Sequence, residues 1–294
     1  MLPLESKLQT SDGLVLVGEH HPRPDCRAVV VILHGYAEHA GRYAALVAEL
    51  GEAGYECHLL DQRGHGRSGG VRGYVHRFEE YLDDVDLFLE RIGEVRSEDR
   101  RHPAVPRILL GHSLGGLISL AYVLRRPEAF GALAVSSPFL HPALEVPALK
   151  AGVAAITSHV MPTHLIRSDL DSRGLSHDPA VVAAYDRDPR VFKTVSPRWF
   201  FEVQRSQREI LERAGAIHLP ALFLIGDADP IADPRRAREV FARLGSADKR
   251  LVAYPGFFHE VFNELERERV VHDLLSWLGE RAPLAAGPPA VTAV

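Results

Sequence analysis

Apolar residues fall along this chain in short continuous blocks. Between them lie stretches in which apolar positions recur every three or four residues. "AVVVILHG" (28–35) is nearly all apolar and ends in His-Gly, the pattern of a strand buried on both faces. "RYAALVAELGEAGY" follows, with Tyr43, Leu46, Val47 and Leu50 on one helical face and Gly54 as its stop. "ECHLLD" predicts the next strand. Phe78, Tyr81, Leu82, Val85, Leu89 and Ile92 then trace a helical stripe. "RILLG", "ALAVSS", "ALFLIG" and "RLVAY" predict further strands. "LGGLISLAYVLRR" is a helix closed by Pro127, and a last helix carries Val271, Leu274, Leu275 and Leu278.

This alternation predicts an α/β fold with a mostly parallel central sheet and helices on both faces. In such sheets, functional residues gather at the carboxyl ends of the strands. One region breaks the pattern. From Pro138 to Leu219 no strand is expected. Val146, Leu149, Val153, Ile156 and Val160 step by three and four, and "TVSPRWFFEVQRSQREIL" starts a second helix with Ser196 as N-cap and Pro197 at its first position. A helical insertion between two strands predicts a lid. The expected division is a core over 1–137, a helical lid over 138–219, the rest of the core over 220–281, and a disordered Ala- and Pro-rich tail over 282–294.

Composition narrows the function. At 294 residues, 46% hydrophobic and 25% charged, the chain has the balance of a soluble domain with a large core. A net charge of -5 argues against nucleic acid, whose binders carry basic patches. The N-terminus "MLPLESKLQT" lacks a signal-peptide pattern, and no run approaches the ~18 apolar residues of a membrane span. Cys26 and Cys57 lie far apart in sequence, which fits a reduced cytoplasmic setting. Lys occurs only at positions 7, 150, 193 and 249 among many Arg, a bias that points to a GC-rich bacterial genome.

Two cofactor readings fail. "GHGRSG" (64–69) matches G-x-G-x-x-G, but "GVRGYVHRF" follows in place of a helix, and Glu90 sits within a helix instead of at a strand end. Among 16 His, His259-Glu260 begins H-E-x-x-H but ends in Asn263, and His159 and His164 have no neighbouring acids. Neither a cofactor nor a metal is expected.

"GHSLGG" (111–116) sits between the strand "RILLG" and a helix, which is the context of a nucleophile elbow. Its three fixed positions alone arise by chance in roughly one such chain in ten. The turn would hold Ser113 in a strained backbone conformation, with Gly111 and Gly115 as small neighbours. The N–H of Leu114 would face a developing oxyanion. Serine needs a base, and the base needs an acid to orient it. In this fold their order is Ser, acid, His. The strand "ALFLIG" ends in "DADPIAD", offering Asp227, Asp229 and Asp233, and "RLVAY" leads into "PGFFHE" with His259. A second oxyanion donor is expected from "HGYAEH" (34–39), at the N–H of Tyr36, with His34 and Gly35 shaping that loop. His112 reads as packed structure. Activity should fall as His259 protonates, near or below ~6.5.

"HGYAEHAGRY", "DQRGHGRSGG", "GHSLGG", "GDADPIAD" and "YPGFFHEVFNE", with "YDRDP" in the insertion, together resemble the monoacylglycerol lipase and lysophospholipase branch of the α/β-hydrolase superfamily. The resemblance runs from about residue 10 to 280. It places the acid at Asp229. It also implies an apolar, mobile lid that admits lipid chains, so Val146, Leu149, Val153, Ile156 and Val160 become candidate substrate contacts. Tyr36 is bulkier than the small residue some relatives carry there, which bears on the width of the acyl pocket. The expectation is a cofactor-free serine ester hydrolase acting on monoacylglycerols, lysophospholipids or simple carboxylic esters, with a ligand-binding protein on the same fold as the non-enzymatic rival. An exposed apolar lid would also suit transient contact with a membrane surface or a second subunit.

Overall fold

The computed structural model describes residues 3–23, 25–98, 105–143, 157–158, 160–168 and 170–282. Val146, Leu149, Val153 and Ile156 lie outside these residues, as does the tail from 283 onward. Ala282, expected to begin the disordered tail, is instead buried, its carbonyl accepting from Arg27 Nε at 2.8 Å.

Eight strands form one sheet in the order β1-β2-β4-β3-β5-β6-β9-β10. The first two, β1 (Leu4–Gln9) and β2 (Val15–His21), make an antiparallel hairpin. β1 leaves no apolar block, because it is largely exposed at the sheet edge, and the short apolar run "LVLV" (14–17) that leads into β2 is a strand signal the sequence reading passes over. β2 also runs antiparallel to β4 (Tyr55–Asp61). The remaining neighbours are parallel: β3 (Ala28–Leu33), β5 (Arg107–His112), β6 (Ala132–Ser136), β9 (Ala221–Gly226) and β10 (Lys249–Tyr254).

Why β3, β6 and β9 are nearly all apolar is visible in β3. Val29, Val31 and Leu33 enter one hydrophobic cluster, and Ala28, Val30 and Ile32 enter another on the opposite face. Successive side chains point to opposite faces, so a strand covered on both sides takes a polar residue only where it finds a partner, as Glu56 does in β4 with His58 and Arg96. The first face is covered by α2 (Glu79–Glu98), α3 (Leu114–Arg125) and α6 (Pro234–Arg243). The second is covered by α1 (Ala44–Glu52) and α7 (Arg267–Arg281). After α1, Gly54 sits at φ +89°, a left-handed turn that lets the chain reverse into β4.

Between β6 and β9 the described part of the insertion holds two helices, α4 (Pro179–Arg187) and α5 (Pro197–Arg213). Ser196 Oγ accepts from the N–H of Trp199, capping α5 as the sequence predicts. Trp199, Val203 and Ile210 of α5 join the cluster beneath α2 and α3, so this helix packs on the core. A two-residue antiparallel ladder, β7 (Ile166–Arg167) with β8 (Thr194–Val195), also occurs here, where the sequence predicts no strand. Two residues are too short to carry a readable period.

Candidate active site

β5 delivers the chain to Ser113, and α3 leaves from it. Ser113 has φ +52° and ψ -114°, a conformation that side chains other than glycine rarely adopt. Its N–H donates to the carbonyl of Ser136 at 3.0 Å, and its own carbonyl accepts from Leu117 and Phe139. The turn is tight enough to exclude side chains beside it. A Cβ on Gly111 would collide with Ser119 Oγ and the carbonyl of Gly115, and one on Gly115 would collide with the carbonyls of Leu33 and His34.

Ser113 Oγ lies 2.8 Å from His259 Nε2, and His259 Nδ1 lies 2.7 Å from Asp229 Oδ2. The other Asp229 oxygen accepts from the N–H groups of Ile231 and Ala232, at 2.8 and 3.0 Å. Those bonds aim the carboxylate and leave Oδ2 for the imidazole. Of the three acids that sequence chemistry leaves open, Asp229 is the one that reaches the histidine. Asp227 pairs with Arg238, and Asp233 caps α6 through the N–H of Arg235. Ser113, Asp229 and His259 are all buried. Burial by itself lowers the His259 pKa, but the Asp229 charge and hydrogen bond outweigh it and hold the imidazole above its ordinary value. The sequence expectation of a value near or below 6.5 is thereby corrected: it omits the carboxylate.

The loop after β3 lies against this trio. His34 is buried, with Nδ1 on the carbonyl of Gly35 at 2.7 Å and Nε2 accepting from the N–H of Gln62 at 3.0 Å. A Cβ on Gly35 would come within 3.2 Å of Ser113 Cβ, so glycine lets the loop approach the serine. The Gly35 N–H is taken by Glu38 Oε1 at 2.6 Å. Among the described residues, the N–H groups of Tyr36 and Leu114 have no acceptor. The Tyr36 side chain turns into the insertion, where its hydroxyl donates to the carbonyl of Thr194 and its ring packs on Phe192 and Trp199. His112, as expected, packs as structure, with Nδ1 3.2 Å from the Ser136 carbonyl. Its ring stands 4.9 Å from that of His259, and burial pushes its pKa down to about 4.

Several residues of the same loop escape the sequence reading. Glu38 is fully buried and accepts from Gly35 N–H, Tyr43 Oη and Arg42. Arg42 also makes a bidentate pair with Glu260, next to His259. Burial would raise the Glu38 pKa, yet Arg42, His112 and His34 hold it down to about 2. His39 reaches across to Asp188 of the insertion at 2.8 Å. The signal was present in "HGYAEHAGRY": a Glu, a His and an Arg spaced along one short loop at a strand end. Only burial distinguishes such charges from a solvated surface.

At the far end of the sheet, His20, Glu56 and His58 gather as three possible metal ligands. The two imidazoles are stacked at 4.3 Å with 7° between their planes. Ring-nitrogen lone pairs lie in the ring plane, so these two run nearly parallel and do not converge on one ion. Arg96 already holds the other Glu56 oxygen at 2.9 Å. The arrangement suits a structural ion pair better than a metal.

Comparison with known proteins shows the family of the chain. The family described as "Serine aminopeptidase, S33" matches residues 24–266. A monoacylglycerol lipase of Mycolicibacterium smegmatis is 38% identical over 258 residues, covering 87% of this chain and 90% of the relative. The mouse monoglyceride lipase is 30% identical over 288 residues, covering 96% of this chain and 93% of the relative. The crystal structure of Paleococcus ferrophilus monoacylglycerol lipase superposes with a TM-score of 0.80 at 30% identity, covering 95% of this chain and 99% of that one. The chain belongs to the serine aminopeptidase S33 family of α/β-hydrolases, among its monoacylglycerol-lipase-like serine hydrolases.

Proposed function

We propose that this protein is a lipase of monoacylglycerols and similar lipid esters, with Ser113 as nucleophile, His259 as base and Asp229 as its orienting acid. The carrying observation is the chain of contacts from Ser113 Oγ through His259 to Asp229, at 2.8 and 2.7 Å. Ser113 attacks the ester carbonyl while His259 Nε2 takes its proton. Asp229 stabilises the imidazolium that results. The N–H groups of Tyr36 and Leu114 receive the oxyanion. His259 then protonates the leaving alcohol, and a water activated by the same base frees the acid. The similarity to monoacylglycerol lipases supports the ester bond as the target and a lipid acyl chain as its acid part.

In this reading, residues 138–219 form the cap over the serine. Val160, Met161, Leu165 and Ile166 are exposed large apolar residues within seven positions of one another, Val160 at 74%. Their clustering supports transient contact with a lipid surface. No helix among the described residues is long and apolar enough to cross a membrane. Cytoplasmic residence belongs to the same proposal.

Rates across monoacylglycerols, lysophospholipids, p-nitrophenyl esters of rising chain length and aminoacyl naphthylamides test it. kcat/KM should rise from acetate to medium-chain esters, and monoacylglycerols should exceed lysophospholipids. Preference for acetate over every longer chain, or faster release of naphthylamine, would defeat the lipid reading.

A further inference from the structure

The loop carrying His259 is held by a strap from the insertion, residues 174–177. His259 N–H donates to the carbonyl of Gly174 at 3.3 Å, and Glu260 N–H to that of Leu175 at 2.8 Å. Ser176 Oγ donates to the carbonyl of Asn263 at 2.8 Å. The His177 ring stacks on Phe258, centroids 3.7 Å apart. The strap also reaches the acid's loop: a Cβ on Gly174 would stand 2.7 Å from Pro230 Cγ, beside Asp229.

Glu264 gathers these contacts. One carboxylate oxygen accepts from Phe258 N–H at 2.9 Å and lies 2.8 Å from His177 Nδ1. The other accepts from the N–H groups of His177 and Leu265, both at 3.2 Å. The Glu264 side chain is 3% exposed, so water is largely kept from the carboxylate, although the His177 ring reaches solvent on its outer side. Four donors from both sides of the junction thus converge on one buried carboxylate.

We propose that Glu264 is a positioning residue for His259, clamping the histidine's loop to the strap and so coupling the insertion to the general base. The proposal rests on the reading of Ser113 and His259 as nucleophile and base. A buried anion is the fitting clamp here, because a charged acceptor binds N–H groups about twice as strongly as a neutral one. Without it, Phe258 and His177 lose their common partner, and the adjacent His259 can drift from Asp229 and Ser113. A displacement of ~1 Å at a reacting group can cost roughly 100-fold in rate.

The test is kcat, KM and the pH profile of p-nitrophenyl ester hydrolysis for Glu264→Leu, Glu264→Gln and His177→Leu. Glu264→Leu should lower kcat roughly 10- to 100-fold with KM within about twofold, and Glu264→Gln, which retains one acceptor, should recover part of the loss. The acid limb should also move. The charged groups facing His259 are Asp229, Glu260 and Glu38, with His112 beside it and Arg42 bridging the two glutamates. Of these, Asp229 chiefly holds the imidazole above 6.5. A loosened loop weakens that contact while burial persists, so the limb should shift to lower pH. If Glu264→Leu does not fold, the other two variants carry the test, with kcat losses of roughly 3- to 10-fold and the same shift. Folded variants with kcat within twofold of the parent, or with reduced kcat and an unmoved acid limb, overturn the proposal. Ser113→Ala in the same assay separates the two readings: if it retains turnover, the assignment of nucleophile fails, whatever Glu264 does.

Discussion

Two buried histidines of this molecule each meet a carboxylate at 2.7 Å, and their pKa values move in opposite directions. His259 Nδ1 meets Asp229 and is held above its ordinary value. His58 Nε2 meets Glu56 and is pushed down to about 4. Both lose hydration on burial, which lowers both. What differs is the company of the carboxylate. Asp229 has two backbone N–H groups and, among the described residues, no Lys or Arg partner, so its field falls on His259. Glu56 is shared with Arg96 at 2.9 Å and with His20, whose Nε2 lies 3.4 Å away without hydrogen-bond alignment. The stacked His20 ring adds like-charge repulsion against protonating His58. A short contact to a carboxylate therefore does not by itself make a base.

The two pairs also pull stability in opposite senses. A histidine with a raised pKa stabilises the fold below its unfolded value near 6.5, and that contribution is lost as pH rises through the folded pKa. One with a lowered pKa favours the fold at neutral pH and costs stability as pH falls from about 6.5 toward about 4.

The largest effect should come from the pair proposed as base and orienting acid. Asp229→Asn should lower kcat by about 10⁴, because Asn can hold the ring by its NH₂ and so stabilise the wrong tautomer. The same change should move the acid limb below that of the parent. Stopped-flow and steady-state assays across pH 5–9 check both, and an unchanged limb would show that Asp229 does not set the His259 pKa.

How much of this was legible beforehand depends on what each residue touches. The parallel sheet could be read because β3, β6 and β9 are buried on both faces and leave nearly uninterrupted apolar runs. Ser113, Asp229 and His259 could be placed because each follows such a run in an order the chemistry requires. The edge strand β1 left no run, the four apolar residues 14–17 that lead into β2 were passed over, and the β7–β8 ladder was too short to leave a period. The Glu38–Arg42–Glu260 network left its charges in "HGYAEHAGRY" and "YPGFFHEVFNE" but not their burial, because a buried charge and a solvated one are the same letter. Choosing Asp229 over Asp227 and Asp233 likewise needed the family pattern, and the structure supplies the reason in the partners of the other two.

Smaller effects sharpen the contrast from the other side. Glu56→Gln keeps an acceptor for His58 but removes the negative charge that Arg96 meets at 2.9 Å. Thermal melts should show a loss on the order of 1–3 kcal/mol, with kcat within twofold. This pair lies near the opposite end of the strands, roughly 20 Å from Ser113 at ~3.3 Å per residue. A large fall in kcat at preserved stability would mean the two ends are coupled.

The most direct test of the account is covalent labelling of Ser113 by a fluorophosphonate, followed by intact mass and peptide mapping across pH. One adduct per chain is expected, located at Ser113. Its rate of formation should fall as pH drops through a pKa above 6.5, and Ser113→Ala should give no adduct. An unlabelled parent chain, or an equal adduct on the Ser113→Ala variant, would contradict the assignment of Ser113 as the activated nucleophile.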